Sequence, residues 1–472
     1  MIGGRFGRAI RALIQVDPQD RSKLLFLAIC FFFVIGAYTV AKELKDSIFI
    51  AIVGGDYQPR AKMLSMIVLI PAILLYSRSV DFLRRYQLLY VYTGLYGVLG
   101  LVFAYFMGHP TIGLPNQCAS PDRIFGWLFY FFIEGYSPFV VSVFWAFANS
   151  ISSPQEAKNN YGLMVVGSKL GGMLTAGTAW WLISRNCAVG GEFLSEVALH
   201  QILTVGSSVI LLLTPLVVYK LMHTVSGRFL HGYEAVYRAE KAHTQEIQQE
   251  PFNFIKSIKS SCGGLIQLVR NPYVFGIFGI VIFYELVNVV FGFQRLRVIR
   301  AASTTTSDVS AFLFQQSFWQ HAVGLVFALV GTRMLLSRFG ERRSLILMPI
   351  LTGLLVILFT WDPSPHSVLL VVVLMRALHY GVGQPLRESL YIPTTKEVKF
   401  KSKSWIDTFG ARFARFVGGG FNDVTRALPL SMALGVDTIF FLIVVGLWLI
   451  VAYFLGRLYE RAVAHNQVIG LT

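Results

Sequence analysis

The sequence predicts an all-α membrane protein of twelve transmembrane helices, and three observations predict it. Apolar residues make up 55% of the 472 residues and charged residues only 14%. A soluble globular domain carries roughly 25% charged residues, so this chain lacks the charge to cover a water-facing surface. The apolar residues gather into runs of about 20, the length that crosses ~30 Å of hydrocarbon as a helix. This excludes a soluble enzyme, a disordered chain and a β-barrel, whose signal is short alternation.

The runs fall at 24–44, 62–80, 87–107, 124–150, 161–184, 198–220, 272–294, 309–335, 344–361, 367–391, 404–422 and 434–457. The first follows Arg5, Arg8, Arg11 and a polar Val-Asp-Pro-Gln-Asp stretch, so it reads as a retained span and not a cleaved signal. Basic hops separate the second run from the third (Arg78 to Arg85) and the eighth from the ninth (Arg338 to Arg343). The polar stretch 222–270, rich in Gln, Glu, Lys and His, divides the runs six and six. The expected domains are therefore an N-terminal six-helix bundle (1–221), a cytoplasmic linker (222–270) and a C-terminal six-helix bundle (271–472). Repeats of this kind, with matching basic loops, imply a major facilitator-like pseudo-repeat. Most of the 41 Lys and Arg fall on the side that holds the N-terminus, which places both termini in the cytoplasm.

The net charge of +16 does not point to nucleic acid. A duplex-binding surface needs a basic face in water, whereas here the cations sit in short hops between spans. The four cysteines, Cys30, Cys118, Cys187 and Cys262, show no metal spacing. Cys118 and Cys187 fall on the extracytoplasmic side of this topology and are the candidates for a disulfide. Catalytic motifs are absent. Gly162–Lys169 imitates a phosphate loop, but its order is wrong and it lies in a helical run. An enzyme, a metal and a cofactor are not expected.

Charge inside the membrane carries the functional signal. Lys42, Lys45, Lys169, Arg376, Arg412 and Arg415 lie within or at the edges of spans, with the acids Glu43, Asp46, Glu134, Glu285 and Asp407. A lone charge at mid-bilayer costs roughly 2.5–3.5 kcal/mol, so these groups need partners or a wet cavity. Pairing is one solution: Lys42 with Glu43 or Asp46, and Arg412 with Asp407. A basic cavity for an anion of several charges is the other, favoured because the cations come from both halves. Tyr38, Phe144, Trp145 and Phe147 share spans with these charges and could stack on a flat ring. Gly418, Gly419 and Gly420 permit close helix packing. An internal echo reinforces the repeat: Glu156-Ala-Lys158 with Gly167-Ser-Lys169 matches Glu397-Val-Lys399 with Gly410-Ala-Arg412.

At these residues the chain resembles the bacterial and plastid ATP/ADP antiporter family of nucleotide transporters. Tyr38-Thr-Val-Ala-Lys-Glu-Leu-Lys-Asp46 is similar to the family's YxxLRDxKD. Phe144-Trp-Ala-Phe-Ala-Asn149, then Glu156-Ala-Lys158 and Tyr161, is similar to FWxFANxIT…EAKxFY. Pro385 through Tyr391-Ile-Pro393, Glu397, Lys399, Lys401, Lys403, Asp407 and Arg412 resembles YIPLxxExKxKGKAxxD…R. The resemblance implies a carrier translocating nucleotides by alternating access, most simply ATP for ADP. The alternative it leaves open is a proton-coupled importer of nucleotides or another phosphorylated anion. It matches the family's essential lysine to Lys45, beside Asp46, and its span-four glutamate to Glu134. Through Gln294-Arg-Leu-Arg297 it sets Asn288 where the family has a glutamate, with Glu285 a turn earlier. Arg415 stands for a lysine, and Lys169 for an asparagine. The candidate translocation residues are thus Lys42, Lys45, Asp46, Glu134, Asn149, Lys169, Glu285, Asn288, Arg376, Asp407, Arg412 and Arg415. The expected partners are a nucleotide (ATP or ADP, with phosphate a further candidate) and the lipid bilayer, without nucleic acid. The expected setting is a bacterial inner membrane, with the carrier a functional monomer.

Overall fold

The computed structural model describes residues 18–83, 85–151, 154–188, 194–225, 268–330 and 332–383, then isolated positions between 386 and 402, then 406–465 and 469. Most of the linker read from the sequence, 226–267, lies outside the described residues, as do the side chains of Asn149, Cys187 and Asp407. Among the described residues the chain is helical: α1 Pro18–Ile52, α2 Gln58–Phe82, α3 Arg85–Met107, α4 Ile124–Glu134, α5 Ser142–Ile151, α6 Pro154–Ala188, α7 Glu196–Leu212, α8 Thr214–Thr224, α9 Pro272–Ala301, α10 Thr306–Val330, α11 Thr332–Trp361, α12 Pro365–Leu378, α13 Ala411–Thr425 and α14 Leu430–Ala464. The first nine apolar runs coincide with one of these helices or a consecutive pair, the tenth with α12 as far as Leu378, the eleventh with α13 from Ala411, and the last lies within α14. Among the described residues, seven helical segments, Arg21–Ile52 and Ser431–Ala464 included, are long and apolar enough by length and composition to cross a bilayer.

Two compact units divide the chain. The first holds Met1–Lys241 and Ile299–Val330, the second Ala242–Val298 and Gly331–Thr472. Helix α10, which its place in the sequence assigns to the C-terminal bundle, packs within the first unit against α6 and α1.

In the first unit α1 is the central post. Leu27, Cys30, Val34, Ala37, Ala41, Leu44 and Ile48 recur three or four residues apart and are buried, the spacing that lines one helix face. Glycines of α6 let it press against α1: a Cβ on Gly167 would lie 2.5 Å from the Ala28 carbonyl oxygen, and one on Gly171 2.3 Å from that of Phe32. Small residues at such crossings give van der Waals contact where lipid supplies no hydrophobic drive. The second unit repeats the device more gently. A Cβ on Gly410 would lie 3.2 Å from Phe278, and one on Gly418 3.1 Å from Val289, both on α9.

Helix ends follow local rules. Thr305 and Asp308 form a reciprocal cap on α10: the Thr305 hydroxyl accepts from Asp308 N–H at 3.1 Å, and Asp308 Oδ2 accepts from Thr305 N–H at 3.0 Å. Ser195 caps α7 and Ser364 caps α12. Between α4 and α5 the chain makes a π turn over Ser137–Val141. Pro138 has no N–H to give the Glu134 carbonyl, so the regular ladder breaks there. Further π turns occupy His379–Gly383 and Ile406–Gly410.

Candidate functional site

The α1 signature Tyr38–Asp46 supplies the first cluster. Lys45 is buried at 7% exposure. Its Nζ donates to Glu134 Oε1 at 2.5 Å and lies 3.5 Å from Asp46 Oδ1. The ammonium also sits 4.4 Å from the centroid of the Tyr130 ring. Tyr130 precedes Glu134 by one turn of α4, so one helix face offers an aromatic ring and a carboxylate to the same cation. The break at Pro138 falls immediately after this face and ends α4 with Glu134 at its last turn.

One turn earlier on α1, Lys42 Nζ donates to Glu43 Oε1 at 3.0 Å, and the same oxygen accepts from the Ser317 hydroxyl of α10 at 2.6 Å. Glu43 is 1% exposed, and its Oε2 has no hydrogen-bond partner. A second rung joins the same helices: Thr39 Oγ1 and His321 Nε2 lie 3.1 Å apart. Thr39 and Glu43 are four residues apart on α1, as are Ser317 and His321 on α10, so both rungs lie on facing stripes. A Cβ on Gly172 would overlap the His321 ring at 2.3 Å, so α6 makes room for that ring with a glycine. The Lys169 side chain, also from α6, runs along Gly324 of α10, and Lys42 and Lys169 both act electrostatically on His321.

Four candidates from the sequence therefore gather around α1: Lys42, Lys45, Asp46 and Glu134, with Lys169 on the neighbouring helix. Thr39, Tyr130, Ser317 and His321 belong to the same assembly and were missed. A histidine in an apolar run was the available signal for one of them. The aromatic candidates are committed elsewhere. Phe144 stacks on Phe31 at 4.4 Å, Tyr38 stacks on Tyr136 at 5.1 Å, and Phe144 and Phe147 are fully buried in the core. Phe144 and Phe147 thus pack the bundle and do not offer a free face to a ligand ring.

In the second unit, Asn288 Nδ2 donates to Glu285 Oε2 at 3.4 Å. Arg376 of α12 bonds the Tyr380 side chain and lies within electrostatic reach of Tyr284 and Glu285. The π turn after α12 stacks His379 on Tyr284 with centroids 3.8 Å apart. Arg412 and Arg415, one turn apart on α13, act on each other as like charges, and Arg415 Nε donates to the Ala411 carbonyl at 3.3 Å.

Of the two cysteines considered for a disulfide, Cys187 has its side chain outside the described residues. Cys118 is an exposed free thiol. Its loop is organised by Arg123, whose Nη1 donates to the carbonyls of Asn116 at 2.9 Å and Cys118 at 3.0 Å, and whose Nη2 donates to those of Ile112 and Gly113. The Asn116 side chain takes the Cys118 N–H at 3.0 Å. The loop thus closes through a guanidinium fork onto carbonyls.

A family model described as TLC ATP/ADP transporter matches residues 123–361. The ADP,ATP carrier protein 1 of Chlamydia pneumoniae is 24% identical over 98% of this chain and 96% of its own length. The ADP,ATP carrier protein 1 of Rickettsia prowazekii (strain Madrid E) is 22% identical over 96% of both. Among solved structures, a D-xylose-proton symporter is similar with a TM-score of 0.64 and 14% identity, over 92% of this chain and 96% of that one. A bacterial homologue of the iron transporter ferroportin in an inward-facing state is similar with a TM-score of 0.60 and 12% identity, over 94% and 100%. These likenesses concern the fold alone: the chain shares the multi-helix architecture of those two transporters. With a family model spanning more than half of its 472 residues, the chain belongs to the TLC ATP/ADP transporter family.

Proposed function

We propose that this chain is a twelve-span carrier of a bacterial inner membrane that exchanges ATP for ADP by alternating access, with both termini cytoplasmic and Lys45 as a principal phosphate ligand. The observation that carries the reading is the setting of Lys45. A buried ammonium held by two carboxylates and an aromatic face is a charge kept available inside the membrane, and an incoming phosphate can replace a carboxylate as its partner. Arg412 and Arg415 hold phosphate oxygens in the same cycle, since arginine forks onto oxyanions. Lys42 and Lys169 assist by their positive potential, and Glu134 and Glu285 balance the charge of the empty protein.

The test is nucleotide binding and exchange by purified protein. Lys45→Gln should weaken ATP binding by about tenfold or more, because a charge-assisted hydrogen bond contributes ~1.5–3 kcal/mol and each 1.4 kcal/mol is tenfold. Unchanged affinity in a folded variant contradicts the role. In liposomes, uptake of labelled ATP should require internal ADP or ATP. Uptake into empty liposomes driven by a proton gradient would replace exchange with proton-coupled import.

A further inference from the structure

We propose that Asp437 is a proton-binding site in the second unit, with Gln294 and Arg297 of α9 as its polar neighbours. Asp437 and Gln294 are both fully buried. They lie about 10 Å inside their helix ends, at a rise of ~1.5 Å per residue. Gln294 and Arg297 are the groups that act on the Asp437 carboxyl. Yet both Asp437 oxygens, both polar atoms of the Gln294 amide and Arg297 Nη1 lack hydrogen-bond partners. A structural ion pair would have closed these contacts. Instead Arg297 is turned aside: its Nη2 donates to the Leu428 carbonyl at 2.8 Å, and its guanidinium lies 5.9 Å from the Phe293 ring.

The stranded atoms make sense as a proton site. A carboxylate only accepts, so it can take the amide N–H of Gln294 but leaves the amide oxygen without a donor. A protonated carboxyl donates to that oxygen while accepting from that N–H, forming a reciprocal pair that satisfies all four atoms. The proton comes from water and returns to it, and no other bond changes. An unpaired charge among Ala433, Phe441 and Val444 is costly, and the neutral acid is not.

Among the described residues, Arg297 is the charge that acts on Asp437. On α13 and the turn after it, Asp423 and Arg426 pair with each other at 3.0 Å. The charged residues of α11 lie in its first half, where Arg342 meets Glu460 at the far end of α14. On α14 itself the next charge is Arg457. The site shares no residue with the Lys45 cluster and does not rest on the proposed substrate.

Infrared spectra of wild type, Asp437→Asn and Gln294→Leu, reconstituted in liposomes and titrated from about pH 5 to 9, test it. The wild type should show a protonated-carboxyl band that disappears on alkalinisation, Asp437→Asn should lose that band, and Gln294→Leu should shift its midpoint. Nucleotide affinity, measured on the same samples, should be unchanged in Asp437→Asn. A band retained in Asp437→Asn, or no titrating band in the wild type, overturns the assignment. Should Asp437→Asn fail to fold, Gln294→Leu decides: a shifted midpoint supports the site and an unmoved one rejects it.

Discussion

Lys45 cannot serve a phosphate and Glu134 equally at the same moment, because a single ammonium at 2.5 Å from one carboxylate oxygen has committed its best-aligned donor. Removing the competitor while keeping its shape should therefore tighten ground-state binding. Glu134→Gln is expected to bind ATP several-fold more tightly and turn over more slowly, since release then lacks the carboxylate that recaptures the cation. Equal or weaker affinity in this variant would mean that Glu134 positions Lys45 and does not compete for it. Much of this residue-scale picture was legible beforehand. Charges are so costly in hydrocarbon that Lys42, Lys45 and Glu134 announce themselves in the sequence. Thr39, Ser317 and His321 did not, because their value depends on α10 lying against α1, and no periodicity in either helix states which helix it will face. Phe144 and Phe147 were hard to place for a related reason: they look the same in sequence whether they line a cavity or fill a core.

Helices in this fold are held by approach distance at their crossings. Leucine at Gly171 would drive its side chain into the Phe32 carbonyl and push α6 away from α1. Overpacking of this kind costs about 1–3 kcal/mol, so Gly171→Leu should unfold at lower temperature in detergent and lose nucleotide binding with it. An equally stable variant would show that the crossing tolerates separation. At the start of α10 the Thr305–Asp308 cap is exposed to water and lies outside the apolar run. Burial of the Asp308 carboxyl opposes its ionisation, but hydrogen bonds from Thr304 and Thr305 outweigh that and hold its pKa below the usual carboxylate range. A depressed folded pKa contributes stability above the unfolded value of ~3.9, and that contribution disappears as pH falls through the folded value. Asp308→Ala should thus be less stable than the wild type at neutral pH, by up to about 1 kcal/mol for the lost cap. The difference should shrink on acidification to about pH 3, as read by thermal unfolding. The helices themselves were readable from run length. The π turns were readable only at Pro138, where a missing N–H states its own consequence.

For the whole molecule, the fold was readable because bilayer thickness fixes helix length and because basic loops and the Gly-x-Lys, Gly-x-Arg echo repeat across the chain. The contacts of α10 with α6 and α1 were not, since sequence order says nothing of which helix a given one will face. A carrier that binds ATP in its folded state must be stabilised by it, by about 2.7 kcal/mol at a hundredfold excess over the dissociation constant. ATP and ADP should therefore raise the unfolding temperature of the wild type, and raise that of Lys45→Gln less, since a tenfold weaker site keeps only about 1.4 kcal/mol at the same concentration. An increase of the same size in both would place the nucleotide elsewhere.

The charge pairing around α1 also has an electrical meaning. Lys42, Lys45 and Lys169 stand with Glu43, Asp46 and Glu134, so the formal charges of this assembly cancel. A transmembrane voltage acts on net charge, at about 2.3 kcal/mol per elementary charge per 100 mV. It has little grip on an assembly whose lysines travel with their own counter-ions, and full grip on the polyanion that displaces one of them. Because exchange carries nucleotide in both directions, the net current should reflect the difference in charge between the ATP moved one way and the ADP moved the other. On a solid-supported membrane, a jump in ATP concentration should produce a current in proteoliposomes preloaded with ADP, and a change of buffer without nucleotide should produce none.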